Sequence, residues 1–141
     1  MFTVNRKNRE KGTSAVEFVL VLPLLLLMLF AIIEFSVAMY DKAVITNASR
    51  EGARRGIVMR TPPPRISAAE ISTTVANYSA AHLISFGAAA VTTSVSSICV
   101  DSGDQLTVTV SYPYNFFVVP NFLHSLTGTL ILNGVTVMRC E

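Results

Sequence analysis

Few side chains in this sequence of 141 residues could do chemistry, and the most unusual is a glutamate inside an apolar run. Glu17 follows Gly12 by five residues, and residues 18–33 contain no charged side chain. A carboxylate in a membrane segment costs roughly 2.5 to 3.5 kcal/mol at mid-helix and less near the interface. Position alone leaves two interpretations of Glu17: a side chain that reaches the inner headgroups, and a functional group with a partner.

The other candidate groups are two cysteines and two histidines. Cys99 and Cys140 could form a disulfide if both reach an oxidising compartment. His82 and His124 are too few for a metal cluster, and the chain has no nucleophile elbow, phosphate loop or Cys-His motif. We therefore expect no metal site, no cofactor and no enzymatic activity.

The element that carries Glu17 is a predicted transmembrane helix. Residues 15–33 would form about 28 Å of helix, which spans a hydrocarbon core. A buried core helix is the alternative, but the roughly 100 residues that remain could hardly cover so long a helix on every face. The chain is 51% hydrophobic and only 14% charged, which also favours lipid. The membrane segment is predicted at about residues 15–36.

The charges around this segment predict its orientation. Four basic residues precede it: Arg6, Lys7, Arg9 and Lys11. Only Glu10 opposes them, so the positive-inside rule keeps the N-terminus in the cytoplasm and exports the rest. A cleaved secretory signal peptide also begins with basic residues, but its apolar core should be about 7 to 15 residues long and end in a small-x-small site. Beyond Gly12, basic and acidic residues nearly cancel, so nucleic-acid binding is not expected.

The membrane helix is predicted to continue as one rod over residues 13–58, because apolar residues recur at helical spacing. Pro23 lacks an amide hydrogen, so it should kink the helix or mark where the helix can loosen. Glu34 lies about 25 Å beyond Glu17 and is predicted to be solvated near the outer headgroups. Three consecutive prolines end the rod in a predicted linker, residues 59–66.

A stripe of small residues in the outer half of the rod has two interpretations. Ala48, Gly52 and Gly56 recur at every fourth position, so a second backbone could approach closely there. The stripe is either the face that lies under a globular head or a contact with another subunit.

The remainder, residues 67–141, is predicted to form an α+β head. Ser67 and Glu70 fit a capping box that starts an amphipathic helix over about residues 68–85. Residues 91–100 and 106–112 read as the two strands of a hairpin. The last stretch, residues 129–138, is predicted to be one long strand with a glycine bulge at Asn133-Gly134, in preference to a short Asn-Gly hairpin. The apolar connection between the last two strands, residues 115–127, either fills the core or faces a membrane or partner.

The sequence around Glu17 resembles a known processing signal. Residues 12–18, "GTSAVEF", are similar to the prepilin signature, in which a basic leader ends in glycine, glutamate is the fifth residue after the cut and an aromatic residue follows. The wider stretch of residues 12–56 is similar to the N-terminal half of TadE-like proteins, pseudopilins of the tight adherence (Flp) type IV pilus. Weaker similarity returns at residues 108–114 and 135–141.

This resemblance implies a pilin-like fold and a role in assembly. Prepilin peptidase would remove the leader, residues 1–12, by cutting between Gly12 and Thr13. Glu17, next to the motif residue Phe18, would then pair with the new Thr13 amine of an adjacent subunit. The implied partners are the peptidase, other pilins and pseudopilins, and an inner-membrane assembly platform. The head would lie in the periplasm, and the protein would stay in the inner membrane or enter the extracellular pilus.

Two other assignments remain open beside a minor, initiating or tip-associated pilin. A major pilin is less favoured, because the predicted head is far larger than that of the very short Flp major pilins. A single-pass envelope binding protein that keeps its leader is the main alternative.

The predicted sheet constrains a bridge between Cys99 and Cys140. If the strands run up, down, up, both cysteines lie at the same end of the sheet. Strands separated by an intervening one are about 9.5 Å apart, too far for a disulfide. A bridge therefore requires the last strand to lie beside the first or to curl over at its end.

Overall fold

The computed structural model describes residues 6–58, 66–85, 90–116 and 128–141, with side chains from Thr13 onward. Two helices precede three strands: α1 (Arg6–Ile57), α2 (Ala68–His82), β1 (Thr92–Ser96), β2 (Gln105–Tyr114) and β3 (Leu130–Arg139). The α+β prediction, with a long N-terminal helix, a second helix and a small three-stranded antiparallel sheet, is confirmed. Most of the predicted proline-rich linker and residues 117–127 of the apolar connection lie outside the described residues.

Helix α1 is a single rod of 52 residues, which corresponds to about 78 Å. The helix begins within the basic segment and passes through Pro23 without a break. Its last turn carries Arg54 and Arg55, and cations at this end interact favourably with the helix dipole. Arg54 pairs with Glu51 one turn earlier, at 3.2 Å between Nε and Oε2.

Helix α2 begins at the capping box that the sequence predicts. The Glu70 amide donates to Ser67 Oγ at 3.3 Å, and the Ser67 amide donates to Glu70 Oε2 at 2.9 Å. The helix ends at His82, three residues before the predicted end. The backbone of Leu83 is extended, and the amide that follows it bonds to α1 instead of continuing the helix. There the Ile84 amide donates to Asp41 Oδ1 at 3.1 Å.

The sheet has the order β1-β2-β3, and every pairing is antiparallel. The predicted hairpin of β1 and β2 is present. The last strand is one long strand as predicted, but the glycine bulge at Asn133-Gly134 is wrong: its register with β2 is continuous, with Gly134 opposite Val110. Gly134 serves a different purpose, since a Cβ there would lie 2.7 Å from the Ile45 carbonyl oxygen of α1. The glycine allows strand and helix to approach closely.

One face of the sheet packs on both helices and forms the core. Alternate residues of β2 are buried in it: Leu106, Val108, Val110, Tyr112 and Tyr114. The small-residue stripe of α1 lies under this layer, because a Cβ on Gly52 would lie 2.6 Å from Val75, and one on Gly56 would collide with Leu106. Of the two interpretations of the stripe, packing under the head is confirmed.

Candidate functional site

The residues of the prepilin-like motif lie together on the first turns of α1. Gly12 is within the helix, and the side chains of Thr13, Glu17 and Phe18 are exposed. Thr13 and Glu17 are four residues apart and share one face of the helix. In the part of the chain that the structure describes, no cation pairs with Glu17.

An uncovered apolar surface follows the motif. Large apolar side chains are exposed along the helix from Val16 to Ile33, with Leu20 at 73% exposure. Among the described residues, one helix is long and apolar enough to cross a membrane, near the N-terminus, and none of its most apolar window is buried. A core helix of a soluble protein would be buried, so the exposed surface favours the lipid interpretation. Pro23 is exposed within this surface, and its functional role stays a prediction.

Glu34 marks the position where the head first covers the helix. The predicted solvated glutamate is wrong: Glu34 is only 4% exposed. Tyr114, at the end of β2, donates its hydroxyl to Glu34 Oε1 at 2.9 Å and lies 3.4 Å from the Glu34 carbonyl oxygen. Phe116 packs edge-on against the Tyr114 ring at 5.4 Å between centroids. Burial, and then the bond to Glu34, raise the pKa of Tyr114.

Asp41, two turns further along the same face, is a second buried carboxylate that sequence reasoning missed. It is fully buried, and Oδ1 accepts the Ile84 amide that follows α2. Oδ2 has no hydrogen-bond partner among the described residues. Burial raises the pKa of Asp41, and the Ile84 hydrogen bond partly opposes this. The spacing of Glu34, Ala38, Asp41 and Ile45 on one helical face was a usable signal, because polar residues on a core stripe must find partners.

The two cysteines are bonded to each other, with their Cα atoms 5.8 Å apart. Cys99 lies after the end of β1 and Cys140 after the end of β3, so both segments of the chain leave the sheet before they reach the disulfide. Two hydrogen bonds fix Cys140 to the turn that precedes β2: the Gly103 amide donates to the Cys140 carbonyl, and the Cys140 amide donates to the Asp104 carbonyl. The last strand does not lie beside the first. Instead, the chain curls over at the end of the last strand, which is the other arrangement that the spacing of the strands allows.

Of the two histidines, only His82 lies among the described residues. His82 is exposed on α2, with its ring stacked on Tyr78 and its Nδ1 2.8 Å from the Tyr78 carbonyl oxygen. His124 lies outside the described residues. Within those residues, no group of three or more His, Cys, Asp or Glu side chains could hold a metal ion.

The described residues define the class of fold as pilin-like: one long helix is apolar and exposed from Val16 to Ile33 and carries an α+β head on its second half. Residues 12–54 match the family described as TadE-like protein, and the resemblance seen in the sequence is thereby confirmed over that segment. The match includes the motif around Glu17, the exposed apolar surface and both buried carboxylates, and it ends before α2. Comparisons with curated proteins and with solved structures gave no match.

Proposed function

We propose that this protein is a minor pilin that takes part in initiating or assembling a tight adherence pilus. The observation that carries the proposal is the family match over residues 12–54, which begins at Gly12 and contains Glu17 as the fifth residue after the proposed cut. The role is structural, and none of its steps requires a catalytic group of this chain. The proposed partners are other pilins and pseudopilins and an inner-membrane assembly platform.

In this proposal prepilin peptidase cuts between Gly12 and Thr13 on the cytoplasmic side. The cut removes the basic leader and creates an amine on Thr13, which is largely protonated at neutral pH. A cation and a carboxylate a few ångströms apart attract much more strongly in lipid than in water. Glu17 is exposed on an apolar helix, so an adjacent subunit can reach it and supply this amine. A misplaced subunit would leave the carboxylate uncompensated, which penalises every other register.

The proposed topology places the N-terminus in the cytoplasm and the head in the periplasm. Tyr114 of the head first covers α1 at Glu34, near the outer end of the predicted membrane segment, which supports a head that begins at the outer face of the membrane. The bond between Cys99 and Cys140 suits the oxidising periplasm. In this proposal the protein either stays in the inner membrane at the base of the pilus or is incorporated into the pilus.

The mature N-terminus tests the processing step. Mass spectrometry of the protein purified from membranes should find Thr13 as the first residue in cells that carry prepilin peptidase. Cells that lack the peptidase should retain the leader. Retention of Met1 or Phe2 in both strains would instead support the unprocessed envelope binding protein.

A matched pair of variants tests the assembly step. Glu17→Ala should be processed normally, but its incorporation into pili should fall at least tenfold, because a tenfold change corresponds to only about 1.4 kcal/mol and a desolvated charge pair exceeds this. Glu51→Ala removes a carboxylate from the same helix where it pairs with Arg54 at the surface, and should change neither result. Normal incorporation of Glu17→Ala would show that the carboxylate has no role in assembly.

A further inference from the structure

Among the described residues, strand β3 has one side without a neighbouring strand, because it lies at the edge of the sheet β1-β2-β3. The Cys140 amide donates to the Asp104 carbonyl at 2.8 Å, which fixes the phase of the ladder between β2 and β3. Since an antiparallel strand alternates the direction of its backbone groups, even-numbered residues of β3 bond to β2 and odd-numbered residues face the free edge. The bond from Lys42 Nζ to the Asn133 carbonyl agrees with this phase.

Most of this edge lacks the features that usually protect an exposed strand. Natural sheets place charges, prolines or bulges on their edges. Apart from Arg139 at its end, β3 contains no charged residue or proline, and its register with β2 is continuous. Lys42 occupies only the Asn133 carbonyl. Three side chains of outward-facing residues are more than half exposed: Ile131 at 55%, Val135 at 57% and Val137 at 55%. The edge therefore offers backbone hydrogen bonds and apolar side chains together.

The opposite edge of the same sheet has the complementary backbone pattern. Strand β1 runs parallel to β3, because both are antiparallel to β2. In β2 the even-numbered residues bond to β3 and the odd-numbered ones to β1, so Thr93 and Val95 of β1 direct their backbone groups outward. No charged side chain lies on Thr92–Ser96. Neither edge would therefore repel the other by charge.

We propose that the free edge of β3 binds the β1 edge of a second copy of this chain. In a parallel pair, a residue donates its N–H to one residue of the neighbouring strand and accepts from the residue two further on. The Val135 amide would donate to Thr93 of the second copy, and the Val135 carbonyl would accept from Val95. Those are the groups that both edges leave free.

A common membrane determines the direction of this pair, and this step depends on the proposed anchorage. A symmetric antiparallel pair of β3 strands would point the two α1 helices in opposite directions, which a common membrane forbids. Val135 and Ser94 lie at the same height, because both are opposite Thr109 on the two sides of β2. A second copy that is displaced across the strands, with no shift along them, therefore brings Val135 level with Ser94, which is the register that satisfies the hydrogen bonds.

The contact is small, and it does not form a closed dimer. Strand β1 has only five residues, so the pair buries less than the roughly 1,200 Å² of a stable interface. Confinement to one bilayer raises the effective concentration and compensates for this weakness. Because each copy uses a different edge toward each neighbour, the pairing is head-to-tail and can extend into a row.

Cysteine cross-linking of the full chain in native membranes tests the pairing. Val135→Cys and Ser94→Cys are placed on separately tagged copies that are expressed together. Neighbouring strands are about 4.8 Å apart, which suits a disulfide. Mild oxidation should join the two tags, whereas Val135→Cys should not join to itself. Thr73→Cys on the exposed side of α2 is the control for random collision. No mixed product, or equal products with itself or with the control, would overturn the proposal.

A backbone variant provides a second, independent test. Val135→Pro removes an outward N–H, which edge strands tolerate, whereas Val135→Thr keeps the N–H and the branched side chain. The cross-link between Val137→Cys and Ser96→Cys, which are also level with each other, should fall at least fivefold in Val135→Pro and stay unchanged in Val135→Thr. An unchanged yield in the proline variant with its native disulfide intact would overturn the pairing.

The mature N-terminus of the same samples separates this proposal from the proposed function. A Thr13 N-terminus without the cross-link counts against the edge pairing alone. A retained leader counts against the minor-pilin assignment, whatever the cross-link shows.

Discussion

Replacing Gly134 by alanine should force β3 away from α1. The added Cβ would lie 2.7 Å from the Ile45 carbonyl oxygen and 3.1 Å from the Thr46 Cα. Both atoms belong to the helix backbone, so no side-chain rotation relieves the overlap. Ordinary contact begins at 3.4 Å, which means that strand and helix must separate by 3.4 minus 2.7, or about 0.7 Å.

The magnitude of the effect follows from this separation. The Ser49 Oγ to Thr136 Oγ1 hydrogen bond, now 2.7 Å, would lengthen to the limit of such bonds, at a cost of about 1 kcal/mol. A gap of this size also loses roughly a quarter to a half of the dispersion energy of the contacts that it opens. Alanine restricts the unfolded chain and returns about 0.4 to 1 kcal/mol. We expect a net loss of about 2 kcal/mol in the free energy of unfolding, in the range of other overpacked cores.

Thermal unfolding of the purified full chain in detergent, followed by near-UV circular dichroism of the buried tyrosines, measures this loss. For a head of this size, 2 kcal/mol lowers Tm by roughly 8 to 16 °C. Asn133→Ala is the matched control, because it changes an exposed side chain of the same strand and should alter stability by less than about 0.5 kcal/mol. A Tm of Gly134→Ala within the range of the control would refute the close-approach argument.

Three further predictions concern the buried carboxylates and the bridge. Tyr114→Phe removes the hydroxyl that donates to buried Glu34 and should lower the free energy of unfolding by about 1.5 to 3 kcal/mol in denaturant titrations; a loss below 0.5 kcal/mol would contradict this. Burial raises the pKa of Asp41 above its ordinary value of 3.8, so the folded protein binds this proton more tightly than the unfolded chain does. The resulting stabilisation of the fold is fully present below pH 3.8 and is lost as pH rises through the raised pKa. Asp41→Asn should therefore have a higher Tm than the native protein at pH 7 by an amount that shrinks toward pH 4, and a constant difference would contradict the assignment. Intact mass under non-reducing conditions should show Cys99 and Cys140 bonded, and replacing both by serine should cost about 4 kcal/mol for a separation of 41 residues; two alkylatable thiols in the native protein would contradict the bridge.

The parts of the fold that the sequence predicts best are those determined by neighbouring residues. Ser67 and Glu70 form their capping box within one turn, so the start of α2 is readable directly. Alternation of apolar residues likewise predicts β2, and the uncharged run predicts the exposed apolar surface of α1. Each of these signals depends on residues that are close in sequence.

Predictions fail where a distant segment determines the environment. Glu34 is reached by Tyr114 from 80 residues away, so its position on the helix predicts solvent and its partner remains invisible. Gly134 is compatible with a bulge or a close approach, and only the position of Ile45 decides between them. Sequence reasoning missed Asp41 for the same reason, because its hydrogen-bond donor is the Ile84 amide, 43 residues later. The position of the motif at Glu17 follows from the sequence, but the free edge of β3 depends on the strand order.

The packing of β3 on α1 has a consequence for the order in which the head can fold. Ser49 and Thr136 are 87 residues apart, and the close contact of Gly134 with Ile45 spans a similar distance. Until β3 has been synthesised, the apolar face of α1 around Ile45 and Ala48 lacks its cover and is prone to aggregation. Contacts of such long range also make folding slow. A chaperone that shields this face would therefore be most useful in the interval before β3 packs on α1.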